Sequence, residues 1–117
     1  MTGTKHMFNA RTFAAMKQGA FFINTSRGGV MDESTLLAAL QRGNLAGAGL
    51  DVREAEPPTA RTALESLDQV ILTPHIGSFT TEAQTRTFEA VCDDLERLLR
   101  GEEAVNSVNM PRPGKRE

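Results

Sequence analysis

The sequence has no tryptophan, no tyrosine, a single cysteine and no marked excess of either charge. One cysteine excludes an internal disulfide, and no C-x-x-C pair, H-E-x-x-H run or similar ligand spacing indicates a metal site. Cys92 falls among Phe88, Val91, Leu95 and Leu98 at helical spacing and is read as core packing. Thirteen basic residues against 15 acidic ones leave a net charge of −2. That provides no electrostatic footprint for a polyphosphate backbone, so nucleic acid is not expected as a partner. No apolar run approaches the roughly 18 residues a membrane span needs, and the first six residues lack a basic then apolar leader. No membrane partner and a cytoplasmic location are expected. What remains, 39% hydrophobic and 24% charged over 117 residues, is the composition of one ordinary globular domain, or part of one.

Helix and strand signals alternate along the chain. Asn9 is placed to cap a helix to about Gln18, with Phe13 and Met16 on one face and Gly19 as its stop. Ala20 to Asn24 is a short continuous apolar run, the pattern of a strand covered on both faces in a parallel sheet. Thr25-Ser26-Arg27-Gly28-Gly29 breaks it. Asp32 caps a second helix bearing Leu36, Leu37 and Leu40, closed by Gly43. Leu45 to Val52 reads as a second strand whose small residues, Gly47, Ala48 and Gly49, allow close packing on it. Strand, helix and strand within about 30 residues has the spacing of a βαβ unit. Arg53 to Arg61, with Pro57 and Pro58, is a loop. A short helical piece near Thr62 to Leu67 leads to a third strand, Val70 to Thr73, stopped by Pro74. From about Thr80 to Arg100 an amphipathic helix carries Ala83, Phe88, Val91, Leu95, Leu98 and Leu99 as its apolar stripe, with Gly101 beyond its end. It spans roughly 30 Å at about 1.5 Å per residue, longer than three strands need for cover.

In open α/β sheets ligands bind beyond the C-terminal ends of parallel strands, so the contents of those loops carry the chemistry. The first strand ends in Thr25-Ser26-Arg27, the second in Asp51 and, five residues on, Glu56, the third in His75. One cation, two carboxylates and an imidazole suit proton transfer at a carbonyl or alcohol next to an anionic group. His75 is the candidate acid/base. Glu56 is the candidate carboxylate to fix its tautomer. Arg27 offers bidentate recognition of a carboxylate, and Asp51, at the end of a glycine-rich strand, is suited to orient a polar group on a cofactor. Blander roles stand beside these: Arg27 could cap a helix or pair with Asp32, Glu33 or Glu54, Asp51 could cap the following turn, and Glu56 could be a plain loop acid. His6 lies in a polar stretch and is read as a surface residue. Gly47-Ala48-Gly49 resembles the opening of a dinucleotide fingerprint, but Val52 stands at the third small position and no helix is expected there. A hydrolase built on Ser26, His75 and Glu56 would want a G-x-S-x-G elbow, which Asn24 to Gly28 is not.

The succession Asn24-Thr25-Ser26-Arg27-Gly28-Gly29, Gly47-Ala48-Gly49-Leu50-Asp51-Val52, Glu56-Pro57 and Thr73-Pro74-His75-Ile76-Gly77 resembles the C-terminal part of the D-isomer-specific 2-hydroxyacid dehydrogenases. Met16-Lys17-Gln18-Gly19-Ala20, Asp32-Glu33 and Val108-Asn109-Met110-Pro111 extend the likeness over nearly the whole chain. The resemblance implies an α/β fold: half of a Rossmann-like doubly wound parallel sheet, about three strands with flanking helices, in residues 1–105, and a tail in 106–117. It implies reduction of a 2-keto acid to the D-2-hydroxy acid, or the reverse, with NAD or NADP. His75 matches the family's acid/base, Glu56 its partner, and Arg27 the residue that holds the substrate's carboxylate and keto groups. Asp51 matches the carboxylate near the nicotinamide carboxamide. Thr25, Arg27 and the turn from His75 to Gly77 line the nicotinamide side. The intact Glu56-Pro57 makes the chain less like the formate dehydrogenases of the same superfamily. The dinucleotide fingerprint, the residue that chooses between NAD and NADP, and the substrate-binding domain would precede the region present. On that reading the chain is a fragment whose N-terminal part, or a partner chain, is missing. The long helix would cross to that missing domain, Asn106 to Pro111 would pack on the missing part, and the complete protein would be a homodimer. The alternative from another class is a non-enzymatic module that docks on a partner chain through an exposed strand edge and the long helix.

Overall fold

The apolar run after Gly19 forms the first strand of a three-stranded parallel sheet in the computed structural model, which describes residues 3–108. The strands are β1 (Ala20–Asn24), β2 (Leu45–Leu50) and β3 (Val70–Leu72), in the order β1-β2-β3, both pairs parallel. The chain divides into two compact units, Met1–Gly77 and Ser78–Glu117. The sheet and its loops belong to the first.

Helix α1 (Ala10–Ala15) starts where expected, with Asn9 accepting from the N–H groups of Arg11 and Thr12. It ends three residues before Gln18. Met16 is already extended, and its N–H donates back to the Phe13 carbonyl. The cause is the distance to β1. Gln18 donates to the Gly43 carbonyl and the Gly19 N–H to that of Asn44, so residues 17–19 must turn toward the second strand. Gly19 serves that turn at φ +77° instead of closing the helix. Phe13 then packs edge-on against Phe22 of β1, with Phe8 on the same ring.

Helix α2 (Glu33–Gln41) is capped by Asp32, whose Oδ1 accepts from the Thr35 N–H, and Gly43 follows its end at φ +73°. Leu36 and Leu40 enter a core with Phe13, Phe22, Met31, Leu45, Leu50 and Leu64. This core lies on one face of the sheet. The expectation that β1 is covered on both faces is not met within this unit. Phe22 and Asn24 are buried, whereas Phe21 and Ile23 are 71% and 73% exposed, as is Ile71 of β3 at 70%. The run is continuous in composition but alternates in burial, because β1 presents successive side chains to opposite faces. The small residues of β2 act as expected: a Cβ on Gly47 would lie 2.7 Å from the Gln69 carbonyl and 3.1 Å from the Phe21 ring. No helix opens at Gly47-Ala48-Gly49, which is strand throughout.

In the second unit, α3 (Thr81–Leu99) has Thr80 as its N-cap and Gly101 at φ +76° beyond its end. Asp94 accepts from the N–H groups of Val105 and Asn106, which fold back along the helix and hold its carboxyl below the ordinary range. The reading of Cys92 as core packing is corrected: Cys92 is exposed, and Phe88, Val91, Leu95 and Leu98 of the same stripe are 41% exposed or more. The periodicity identified an apolar face, and within this unit nothing buries it. No helix among the described residues is long and apolar enough to cross a membrane. The expectations that concern Asn109 to Glu117 lie outside the described residues.

Candidate functional site

Each strand of the sheet ends in a residue whose backbone prolongs the ladder and whose side chain organises the loop beyond. The Asp51 N–H donates to the Asn24 carbonyl and the Thr73 N–H to the Leu50 carbonyl, both at 3.0 Å, so the three loops leave the sheet in register. Asn24 is 5% exposed. Its Oδ1 accepts from the N–H and the hydroxyl of Ser26, and its Nδ2 donates to the Arg27 carbonyl. A buried amide with those bonds sets the Thr25-Ser26-Arg27 turn.

Asp51 is the hub of the other two loops. Its Oδ1 accepts from the Thr73 hydroxyl at 2.5 Å and the Ile76 N–H at 2.9 Å, and its Oδ2 from the Gly77 N–H at 2.7 Å. The Thr73 hydroxyl, followed by the two N–H groups, holds this carboxyl below its ordinary range. A carboxylate has about four acceptor positions, so one remains on Oδ2. A Cβ on Gly77 would lie 2.9 Å from that oxygen and 3.7 Å from Cβ of Thr25. Thr25, Asp51 and Gly77 therefore meet at one point, and only a glycine leaves it open.

The turn that Asp51 holds contains His75, in the left-handed region at φ +56°. Its Nδ1 lies 2.7 Å from Oε2 of Glu56, and Oε1 of Glu56 accepts from the Arg53 N–H at 2.7 Å. That N–H first, and the histidine second, hold the Glu56 carboxyl below its ordinary range, with the Arg27 charge adding to the effect. A carboxylate against Nδ1 makes that nitrogen the donor and leaves Nε2 as the nitrogen that can exchange a proton outward. The imidazole is 41% exposed. Beside the pair opens a cavity of about 450 Å³ whose walls include Arg53, Pro57, Leu72 and Pro74.

Arg27 is exposed and donates to the Ser26 carbonyl. The blander pairings do not form: Glu33 takes Arg53, and Glu54 takes His6 at 2.5 Å and the Glu33 N–H. Ser26 bonds Asn24 and not His75, so the hydrolase arrangement is not assembled. Asn24, Thr73 and Arg53 are the residues that sequence reasoning passed over. A polar residue closing an apolar strand is a usable signal for Asn24 and Thr73. Nothing local marks Arg53, whose partners are Glu33 and Glu65. No group of histidine, cysteine and acidic side chains that could hold a metal occurs among the described residues.

Comparison with known proteins identifies relatives of this fold. The family model described as D-isomer specific 2-hydroxyacid dehydrogenase, NAD binding domain, matches residues 1–77. A glyoxylate/hydroxypyruvate reductase B from Salmonella newport is 44% identical over 106 residues, covering 91% of this chain and 33% of the relative. Among solved structures, a glyoxylate reductase from Paecilomyes thermophila superposes with a TM-score of 0.83 at 34% identity, over 93% of this chain and 33% of that one. A D-isomer specific 2-hydroxyacid dehydrogenase from Xanthobacter autotrophicus, in complex with NADPH and MES, gives 0.82 at 36% identity, over 93% and 44%. The chain thus spans about a third of the length of the curated relatives it matches.

Proposed function

This chain belongs to the NAD-binding domain family of the D-isomer specific 2-hydroxyacid dehydrogenases, and from that premise we propose that it carries the proton-transfer and nicotinamide-facing part of a 2-keto acid reductase. The observation that carries the reading is the 2.7 Å contact between Nδ1 of His75 and Glu56 at the mouth of the sheet. With Nδ1 engaged, Nε2 hands a proton to the keto oxygen as negative charge develops there, and takes one back in the reverse direction. Glu56 keeps the ring in the tautomer and orientation that this step needs. Arg27 grips the substrate carboxylate and steadies the keto oxygen through its planar fork.

The residues present fit a nicotinamide. Thr25, Arg27, His75 and Gly77 line its side of the cleft, and the one free acceptor position of Asp51 suits an amide N–H of its carboxamide. When bound, the dinucleotide would supply the hydride in its reduced form, NADH or NADPH, and accept it in its oxidised form in the reverse direction. The substrate class is a small 2-keto acid, as the names of the curated relatives suggest. In this reading residues 1–105 form the second half of a Rossmann-like dinucleotide-binding domain with the long helix, residues 106–117 are a tail, and the whole protein is a cytoplasmic homodimer. The remaining part of the active site comes from a further segment or a partner chain.

The test is a chimera in which this chain replaces the matching third of the Salmonella reductase. With glyoxylate or hydroxypyruvate and NADPH, His75→Ala should lower kcat by about 10²-fold to 10⁴-fold. Arg27→Lys should raise KM with a smaller change in kcat. A chimera that turns over unchanged without His75 would overturn the assignment. A thermal shift of the isolated chain with NADH or NADPH asks separately whether the nicotinamide side binds unaided.

A further inference from the structure

Arg53 is a charge in an unusual place for a loop residue: its side chain is only 9% exposed. Nε and Nη2 donate in parallel to the two oxygens of Glu33 at 3.0 and 3.1 Å, Nη2 also donates to the Thr62 hydroxyl at 2.9 Å, and Nη1 lies 3.5 Å from Glu65. One guanidinium thus ties together the first turn of α2, the loop after β2 and the start of the short helical turn before β3. Two-point geometry of this kind fixes the plane of the group as well as its position. The backbone of the same residue faces the site. Its N–H donates to Oε1 of Glu56, and its carbonyl lies 1.8 Å from where a Cβ on Gly28 would be, so its peptide packs directly on the loop that carries Arg27.

We propose that Arg53 is a positioning residue: its guanidinium, clamped by Glu33 and Glu65, fixes the peptide whose N–H aims Glu56 at His75. The proposal rests on the reading of His75 and Glu56 as the proton-transfer pair, and Arg53 acts in it only through Glu56. Glu56 lies in an exposed loop with two prolines, and its orientation would otherwise depend on a single contact to a partly exposed imidazole. Groups acting on the Glu56 carboxylate are the Arg53 N–H, the His75 ring and the Arg27 charge.

The experiment is a carbon-detected NMR titration of the side-chain carboxyls of this chain, with amide hydrogen exchange at residue 53, in the parent and in Arg53→Met, Arg53→Lys and His75→Gln. Arg53→Met should make Glu56 titrate at higher pH and speed exchange of the residue 53 amide by about tenfold, the loss of one hydrogen bond. Asp51, held by a different set of N–H groups, should not move. Arg53→Lys, which keeps the charge and loses the fork, should give a smaller change of the same sign. It carries the comparison if Arg53→Met does not fold. A merely structural arginine would lower overall stability and leave Glu56 in the folded chain where it was. If His75→Gln raises Glu56 but neither Arg53 variant does, the positioning role is wrong and the proton-transfer pair stands. If His75→Gln leaves Glu56 unmoved, the pair itself is wrong, and this inference falls with it.

Discussion

Gly28→Ala is the sharpest perturbation the fold offers, because it adds one methyl group at the seam between the Arg27 loop and the Glu56 loop. A Cβ there would stand 1.8 Å from the Arg53 carbonyl oxygen, 2.0 Å from its carbon and 2.6 Å from the Glu54 nitrogen. Ordinary contact begins near 3.4 Å, so the two backbones must part by roughly 1.6 Å, and neither has a flexible side-chain end that could yield. Overpacking of this kind costs about 2–3 kcal/mol. With a urea slope of about 1.5 kcal/mol/M the unfolding midpoint should fall by roughly 1–2 M. The neighbouring Gly29 meets nothing within 4 Å, so Gly29→Ala is the internal control and should stay within about 0.5 kcal/mol of the parent. In the chimeric reductase the same change displaces the Glu56 loop from the Arg27 loop by more than 1 Å, which should cost about 10²-fold in kcat. Urea unfolding followed by circular dichroism gives the first quantity and steady-state kinetics the second. Equal midpoints for Gly28→Ala and Gly29→Ala would refute the close approach, and with it the account of how the two loops are held together.

Asn24→Ala removes the acceptor for two Ser26 groups and a donor to the Arg27 carbonyl at a site 5% exposed. It should cost about 2–3 kcal/mol by urea unfolding and raise KM in the chimera through disorder at Arg27. Leu50→Ala, at a position 1% exposed beneath the site, should cost about 3 kcal/mol in the same assay, whereas Phe88→Ser, 68% exposed, should change it by under about 0.5 kcal/mol. Asp51 and Glu56 both titrate below their ordinary values in the folded chain. The folded state therefore binds fewer protons than the unfolded one. Their stabilisation is fully present above about pH 5, beyond both ordinary values, and is lost as pH falls through the folded-state values. Unfolding midpoints measured from pH 7 down to pH 2.5 should show that loss in the parent and a shallower one in Asp51→Asn. An equal slope in the two proteins would show that Asp51 does not hold the His75 turn through its charge.

Much of the site was legible because its groups fall where a parallel sheet always places them. Arg27, Asp51 and His75 each follow a short apolar run closed by a polar residue or a proline, and the strand rule brings such positions to one edge. The pairing of Glu56 with His75 was readable as a chemical need, though not as a distance. Asp51 shows the limit of that logic. Its expected role faced outward, toward a ligand, yet three of its acceptor positions are used inward, on Thr73, Ile76 and Gly77. Arg53 was missed because an arginine in a polar loop is ordinary, and its partner Glu33 lies 20 residues back on the first turn of a helix.

The sequence by itself determined the order of elements, their N-caps, and which loops carry the candidate groups. Those depend on hydrogen bonds and side-chain periods within about four residues, which any short segment expresses alone. Only the tertiary structure decided which atoms meet. The register of β1 on β2 and of β2 on β3 sets how far each loop starts from its neighbour. From that register follow the Glu56 contact to His75, the burial of Asp51 and the clamp on Arg53. It likewise made the continuous apolar run of β1 a strand with one covered face, since burial depends on what else packs on the sheet and not on the run itself.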